Sequence, residues 1–268
     1  MLDLLRIRLK QGTRTSGFPV AEPEFPERFR GRPEFDPARC PDGCRDCAGL
    51  VPSGFVRPGP PATVDVGACL FSPDEAAACP NGAVTFTPDY RMASSTRSGL
   101  CSATGEVELA RALDARTRRL FGRSLRLRSV AAGSCGGCEA ELVALGNVVF
   151  DLSRFGVQFV ASPRHADGIV VTGAVSANMS AALQATYDAV PDPRIVIAVG
   201  ACAINGGPFR GSAEVGNGVP GDLPVDLWIP GCPPHPMTIL DGLLRVLGRI
   251  DEGSSRSGPR AISPRSAP

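Results

Sequence analysis

The sequence has no excess of charge of either sign. Across its 268 residues, 28 Lys and Arg oppose 27 Asp and Glu, so the formal net charge is +1 and the pI is about 7.5. The arginines are scattered and do not gather with aromatic residues into a basic patch. We therefore expect no nucleic-acid partner.

Long apolar runs are absent as well. Spanning a bilayer takes roughly 20 consecutive apolar residues, and even the run from Gly168 to Val175 is short and bounded by charge and turn residues. The amino-terminal ten residues contain an early acid and interspersed basic residues, unlike a secretion signal. We expect a cytoplasmic chain with no direct membrane span, which reaches a membrane only through partner subunits.

Histidine is scarce, whereas cysteine is not. His165 and His235 are the only histidines, and neither stands in a metal-ligand pattern. The ten cysteines, in a reducing compartment, indicate metal or cofactor ligation rather than a disulfide framework. Only Cys101 fits the alternative of a buried structural thiol.

Hydrophobic periodicity predicts an α/β fold for the second half. Short apolar runs alternate with helical patterns, which indicates right-handed crossovers and a mostly parallel, doubly wound sheet. The predicted strands are Ser124 to Ala131, Gly156 to Ala161, Gly168 to Thr172, Arg194 to Val199 and Val225 to Ile229. The predicted helices are Glu139 to Leu145, Asn178 to Val190 and Pro236 to Ile250, with a polar connecting helix before them at residues 106–121.

Four cysteines fall just beyond the carboxyl ends of predicted strands: Cys135, Cys138, Cys202 and Cys232. Ligands of open α/β sheets bind at that edge, so residues far apart in sequence can meet there. Thiolates with small neighbouring residues are typical ligands of an iron-sulfur cluster. Zinc is the alternative, but one Cys-x-x-Cys pair with two remote cysteines favours a cluster.

At these residues the chain resembles the small subunit of membrane-bound, energy-converting [NiFe] hydrogenases of the formate hydrogenlyase type, and the 20 kDa subunit of complex I (the B-subunit family of NADH-quinone oxidoreductase). The resemblance covers residues 124–250. The matching segments are Cys135-Gly-Gly-Cys138-Glu139, Ala161 to Asp167, Val171 to Gly173, Ala198 to Gly207 and Ile229 to Pro236.

This resemblance implies a flavodoxin-like fold and a proximal 4Fe-4S cluster held by the four cysteines. It also implies a large hydrogenase-type catalytic subunit as partner, with membrane antiporter-like proteins among the other subunits. The spacing of Cys135 and Cys138 is the hydrogenase type, because the two cysteines are adjacent in complex I. Asn205, Gly206 and Gly207 are expected to shape the loop behind Cys202, since glycine tolerates unusual backbone angles.

The first half resembles part of a two-cluster bacterial ferredoxin at Cys40, Cys44, Cys47 and Cys79-Pro80. In such ferredoxins, one cysteine of each motif binds the cluster of the other motif. The second motif keeps Cys69 but has Ser72 and Glu75 where cysteines are expected, so its cluster would keep only Cys69 among four expected ligands and is predicted to be lost. A second 4Fe-4S cluster on the four remaining cysteines is the preferred interpretation.

Two alternatives remain for this half. It could have lost both clusters and serve as a scaffold for neighbouring subunits. Alternatively, the Cys-x-x-x-Cys-x-x-Cys spacing also occurs in radical S-adenosylmethionine enzymes, but the large barrel that these need does not follow.

Two acids begin the helix after Cys138. Acidic residues are favoured in a first helical turn, and that accounts for Glu139 and Glu141 without any function. By resemblance, an acid near this helix is associated with redox-linked protonation, and the offset of Glu141 is the better match to the complex I motif. We state proton coupling at Glu141 as a hypothesis.

The predicted fold class is α/β: a flavodoxin-like doubly wound parallel sheet preceded by a small degenerate ferredoxin-like α+β module. The expected divisions are an arm at 1–36, the module at 37–90, a linker and connecting helix at 91–123, the cluster domain at 124–250 and a disordered tail at 251–268. The predicted function is electron relay through the proximal cluster to or from a catalytic subunit, with no catalytic residue in this chain. The alternatives are a quinone-linked complex I-like subunit without nickel-iron chemistry and a zinc-binding assembly subunit.

Overall fold

The structure, a computed structural model, describes residues 2–41, 44–45 and 53–250. The first half contains helix α1 (Leu2–Gln11), strands β1 (Pro33–Phe35), β2 (Val56–Arg57) and β3 (Thr63–Asp65), helix α2 (Pro73–Ala77) and strands β4 (Val84–Phe86) and β5 (Cys101–Ser102). Helix α3 (Ala115–Phe121) leads into the second half. As the many short elements indicate, this half has only a small core of its own, built around Phe35, Phe55, Val64 and Val84.

The strand pairing of the first half brings distant cysteines together. Strand β1 pairs antiparallel with β4, while β2 pairs with β3, which in turn pairs with β5. Cys40 follows β1 and Cys79 precedes β4, so the β1–β4 pairing draws both toward the same end of the module.

The second half is a five-stranded parallel sheet in the order β10-β9-β8-β6-β7. Its strands are β6 (Leu125–Ala131), β7 (Val157–Phe159), β8 (Gly168–Thr172), β9 (Ile195–Val199) and β10 (Leu227–Ile229). Counted within the sheet, this is the 2-1-3-4-5 order of flavodoxin-like folds. Every residue of β8 and β9 is buried, because helices cover both faces of the sheet. The predicted fold class is confirmed.

Helices connect and cover these strands: α4 (Gly137–Ala144), α5 (Ala177–Asp188), α6 (Ala201–Asn205) and α7 (Pro236–Val246). The five predicted strands and three predicted helices are present, with ends that differ by a few residues. α7 is fully buried, because one side of it packs on the sheet while the first half of the chain covers the rest.

The predicted connecting helix over residues 106–121 is wrong for its first nine residues. Only Ala115–Phe121 is helical, and it begins where Asp114 accepts hydrogen bonds from the amides of Arg116 and Thr117. Before that point the amides of Glu108, Ala110 and Leu113 donate to the carbonyls of Gly99, Ala93 and Val246. Tertiary partners thus take the amides that a helix would have used.

Two sequence predictions lie outside the described residues: Cys47 as a ligand and the disordered tail at 251–268. In the ranges that are described, none of the helices combines the length and apolarity that a membrane crossing requires.

Candidate metal centre

The four second-half cysteines lie at the carboxyl edge of the parallel sheet. Cys135 lies in the loop after β6 and is exposed, and Cys138 is the second residue of α4 and is buried. Cys202 is buried in α6, directly after β9, and Cys232 is half-buried between β10 and α7. Three strand ends therefore supply the four thiols, as the sequence predicted.

Backbone contacts hold these loops together. The amides of Gly200 and Ala201 donate to the carbonyls of Ile229 and Gly231, both at 2.8 Å, which ties the Cys202 loop to the Cys232 loop. Gly200 has φ +91°, and a Cβ there would lie 2.5 Å from Cys138 Sγ. The absence of a side chain at Gly200 thus lets the Cys138 thiol reach the Cys202 loop.

The loop behind Cys202 has the shape expected from its sequence. Asn205 Oδ1 accepts a hydrogen bond from the Gly207 amide at 2.9 Å. Gly206 and Gly207 have φ +89° and +52°, and a Cβ on Gly207 would lie 2.8 Å from Cys202 Sγ. The expected role of these three residues in shaping the loop is confirmed.

Burial and mutual repulsion disfavour thiolates at this site. Burial raises the pKa of Cys138 well above its ordinary value, and the charge of Cys202 adds to this effect. Burial raises the pKa of Cys202 to about 11, with further contributions from Cys232 and Cys135. The four sulfurs are thus close enough to repel one another as anions, and a cationic group among them would relieve that repulsion.

The donor set fits an iron-sulfur cluster, because it offers four thiols and loops without side chains beside the sulfurs. Within residues 2–41, 44–45 and 53–250, no three His, Cys, Asp or Glu side chains are grouped as ligands of a single metal ion.

Glu139, the residue after Cys138, is held by hydrogen bonds beside the four cysteines. Its carboxylate accepts hydrogen bonds from the hydroxyls of Ser134 and Thr172. Burial opposes ionisation of Glu139, but the hydrogen bonds from Ser134 and Thr172 outweigh it, so its pKa is lowered. The same charge contributes to the raised pKa values of Cys138 and Cys202. Glu139 is therefore part of the site and more than a favourable residue in a helical turn.

Glu141, two residues further along α4, is partly buried. Burial raises its pKa, and no charged neighbour contributes to the shift.

The two histidines lie in different surroundings. His235 is half-buried, and its Nδ1 accepts from the Met237 amide at 3.1 Å at the start of α7. The rings of Phe25 and Phe29 meet it edge-on at 5.2 and 5.4 Å. His165 is exposed. His235 thus joins the proline-rich segment to the cluster domain, a packing role that the sequence did not indicate.

In the first half, Cys40, Cys44 and Cys79 line one cavity with apolar side chains of β1, β2 and β4. The Ala83 amide donates to Cys79 Sγ at 3.3 Å. Three of the four predicted ligands are therefore together, and Cys47 lies outside the described residues. Cys101, expected to be a buried structural thiol, is only half-buried, whereas Cys69 is fully buried.

Residues 135–246 match the sequence model of the family described as NADH ubiquinone oxidoreductase, 20 Kd subunit. A probable membrane-bound hydrogenase subunit, mbhJ of Pyrococcus furiosus, is 41% identical over 132 residues, which is 49% of this chain and 79% of the relative. The chain belongs to this family.

Other members of the family share less of their length with the chain. The B-subunit of NADH-quinone oxidoreductase from Bacteroides thetaiotaomicron is 45% identical over 48% of this chain and 66% of its own length. Formate hydrogenlyase subunit 7 of Escherichia coli is 41% identical over 51% of this chain and 54% of its own length. The expectation of an oxidoreductase subunit related to hydrogenases and NADH-quinone oxidoreductases is thereby confirmed.

Proposed function

We propose that this chain relays single electrons through a 4Fe-4S cluster held by Cys135, Cys138, Cys202 and Cys232. The observation that carries this proposal is that four thiols follow the ends of three neighbouring strands at the carboxyl edge of the sheet. When bound, the cluster supplies one-electron redox chemistry. The chain supplies the thiolates, loops that leave room beside the sulfurs, and burial that keeps water from Cys138 and Cys202.

The electron partner in this proposal is a large hydrogenase-type catalytic subunit. Cys135 is the exposed member of the four, so the site opens to the surface there and a partner can approach. The relatives are subunits of hydrogenase and quinone oxidoreductase assemblies. Membrane antiporter-like subunits and a peripheral position on the cytoplasmic face of a membrane belong to the same proposal.

Two other functions would use the same cysteines. A quinone-linked subunit without nickel-iron chemistry fits the match to the B-subunit of NADH-quinone oxidoreductase. A zinc-binding assembly subunit fits four thiols alone, but zinc is colourless and does not change oxidation state, whereas a 4Fe-4S protein contains sulfide and changes spectrum on reduction.

We further propose a second 4Fe-4S cluster in the first half, held by Cys40, Cys44, Cys47 and Cys79. The shared cavity of Cys40, Cys44 and Cys79 supports it, as does the amide that donates to Cys79 Sγ. Amide donors to sulfur are a common feature around clusters. A first half that holds no cluster would instead be a scaffold for neighbouring subunits.

Iron and acid-labile sulfide analysis of the anaerobically purified chain tests both clusters. We expect about eight irons per chain, falling to about four in Cys79→Ala, because each cluster holds four. Cys101→Ala is the matched control, since it removes a half-buried thiol that is no ligand, and it should keep about eight. About four irons in the wild type, unaffected by Cys79→Ala, would contradict the second cluster. Stoichiometric zinc without iron would contradict electron relay.

Proton coupling at Glu141 remains a proposal. Its pKa is raised by burial, so the carboxyl takes up and releases its proton at a higher pH than an exposed glutamate. In the assembled complex, Glu141→Gln is expected to lower turnover and flatten its dependence on pH, because glutamine cannot ionise. Glu214→Gln changes an exposed acid and should alter neither. Turnover and a pH profile unchanged in Glu141→Gln would contradict the proposal.

A further inference from the structure

A carboxylate is buried in the first half, and its described hydrogen-bond partners are neutral donors. Glu75 is 3% exposed, and one of its oxygens accepts from Cys69 Sγ at 3.1 Å and from the Ser72 amide at 3.2 Å. The other accepts from the Leu70 amide at 2.9 Å and from Ser53 Oγ at 3.3 Å. All four hydrogen bonds are donated to the Glu75 carboxyl group, and such donors favour its ionised form. Among the described residues, the buried carboxylate of the first half that pairs with arginine is that of Asp65, which contacts Arg57 and Arg97.

This arrangement occupies the place of the lost ferredoxin motif. A complete ferredoxin motif would carry four cysteines at the positions that are occupied here by Cys69, Ser72, Glu75 and Cys79. Ser72 begins helix α2, and Glu75 closes a capping box with it. The thiol of Cys69 is fully buried, and it donates to the carboxylate instead of facing an empty site. The site has thus become a hydrogen-bonded network centred on one negative charge.

The network is joined to the helix that carries Cys202, a predicted ligand of the proximal cluster. Burial raises the pKa of Cys232, and the charges of Cys135 and then Glu75 raise it further. Burial and the Glu75 carboxylate raise the pKa of Cys69, and Cys232 adds a smaller contribution. Ser53 supplies the contact between the two halves, since its hydroxyl donates to Glu75 and its carbonyl accepts from Asn205 Nδ2 at the end of α6, the helix that carries Cys202.

Packing fixes the network against the cluster loops. The short 3-10 helix Val66–Ala68 precedes Cys69 and contacts α6, the helix that carries Cys202. A Cβ on Gly67 would lie 2.7 Å from Ile204 Cγ2, so the Gly67 backbone packs directly on the Ile204 side chain. Asn205 Nδ2, at the end of α6, donates to the Ser53 carbonyl at 3.2 Å. The carboxylate therefore cannot move away from the site without disturbing α6.

We infer that Glu75 is a positioning residue whose buried negative charge lowers the reduction potential of the cluster bound through Cys232. Reduction adds an electron to the cluster, and a fixed anion nearby disfavours that added charge. The effect is large enough to matter because the carboxylate is buried, where screening by water and salt is weak. This inference rests on the proposed proximal cluster.

The test is a redox titration of the anaerobically purified full chain, followed by electron paramagnetic resonance. The component absent from Cys202→Ala is assigned to the proximal cluster. Glu75→Gln keeps the shape of the side chain and removes its charge, so we expect the potential of that component to rise. Asp74→Asn, the neighbouring exposed acid on α2, is the matched control and should leave the potential unchanged. An unchanged potential in Glu75→Gln, or an equal rise in Asp74→Asn, would overturn the inference.

A second variant keeps the inference testable if glutamine prevents folding. Cys69→Ala keeps the carboxylate and removes one hydrogen-bond donor to it, so the charge is offset less and the potential should fall. An unchanged or raised potential in Cys69→Ala would overturn the inference. Iron and sulfide analysis distinguishes failure of the proposed function from failure of this inference. A wild-type chain that binds no cluster refutes the proposed function. A bound cluster whose potential is the same in the wild type and both variants refutes only the role of Glu75.

Discussion

Cys202→Ala is expected to abolish proximal-cluster binding and to remove about four irons and four sulfides per chain. Cys202 is 8% exposed in α6, and it is tied through Gly200 and Ala201 to the Cys232 loop. A missing thiolate at so buried a position cannot readily be replaced by solvent. The measurement is metal and sulfide analysis together with the visible spectrum before and after dithionite.

The control for this variant is Cys101→Ala, which should keep the iron content and the spectrum of the wild type. Cys101 is half-buried beside Arg97 on β5, a strand that is not part of the parallel sheet. Wild-type iron in Cys202→Ala would contradict the assignment of Cys202 as a ligand. Circular dichroism of both variants shows whether the fold itself has survived the substitution.

Asp241→Ala is expected to destabilise the chain by about 3–5 kcal/mol, because it leaves a buried guanidinium without its carboxylate. Arg245 Nε donates to Asp241 Oδ2 at 2.8 Å, and the two side chains are 2% and 1% exposed. Arg245 Nη1 already has no hydrogen-bond partner in the described part of the chain. The measurement is chemical denaturation of wild type and variant under identical conditions.

Two further variants sharpen this prediction. Asp188→Ala breaks an exposed hydrogen bond from Gln184 with the same i, i+4 spacing on α5, and should change stability by less than about 0.5 kcal/mol. Adding Arg245→Leu to Asp241→Ala should recover much of the loss, because no charge then remains buried without a partner. A loss no larger than that of Asp188→Ala would contradict a stabilising role for the pair.

The sequence predicted the cluster domain well, since its signals are local. The apolar runs of β8 and β9 are continuous because both faces of a parallel sheet are covered, and that pattern can be read without a structure. The positions of Cys135, Cys202 and Cys232 after strands then placed the thiols at one edge.

The errors arise where tertiary contacts override local preference. Residues 106–114 have helical periodicity, yet the amides of Glu108, Ala110 and Leu113 bond to other segments. The packing of Phe25 and Phe29 on His235 gave no sequence signal, because a proline-rich segment has no periodicity that identifies its partner. The predicted domain boundaries remain predictions.

By itself, the sequence determined the order of the strands and helices, the parallel sheet and the four thiols of the cluster domain, because periodicity and residue type are local properties. Only the tertiary structure decided what surrounds those thiols. Glu139 accepts a hydrogen bond from Thr172 at the end of β8, and Glu75, in the other half of the chain, is linked through Ser53 to Asn205 of the helix that carries Cys202. These contacts join residues from separate elements, so they depend on how those elements pack. The electrostatic environment of the site therefore depends on the tertiary structure.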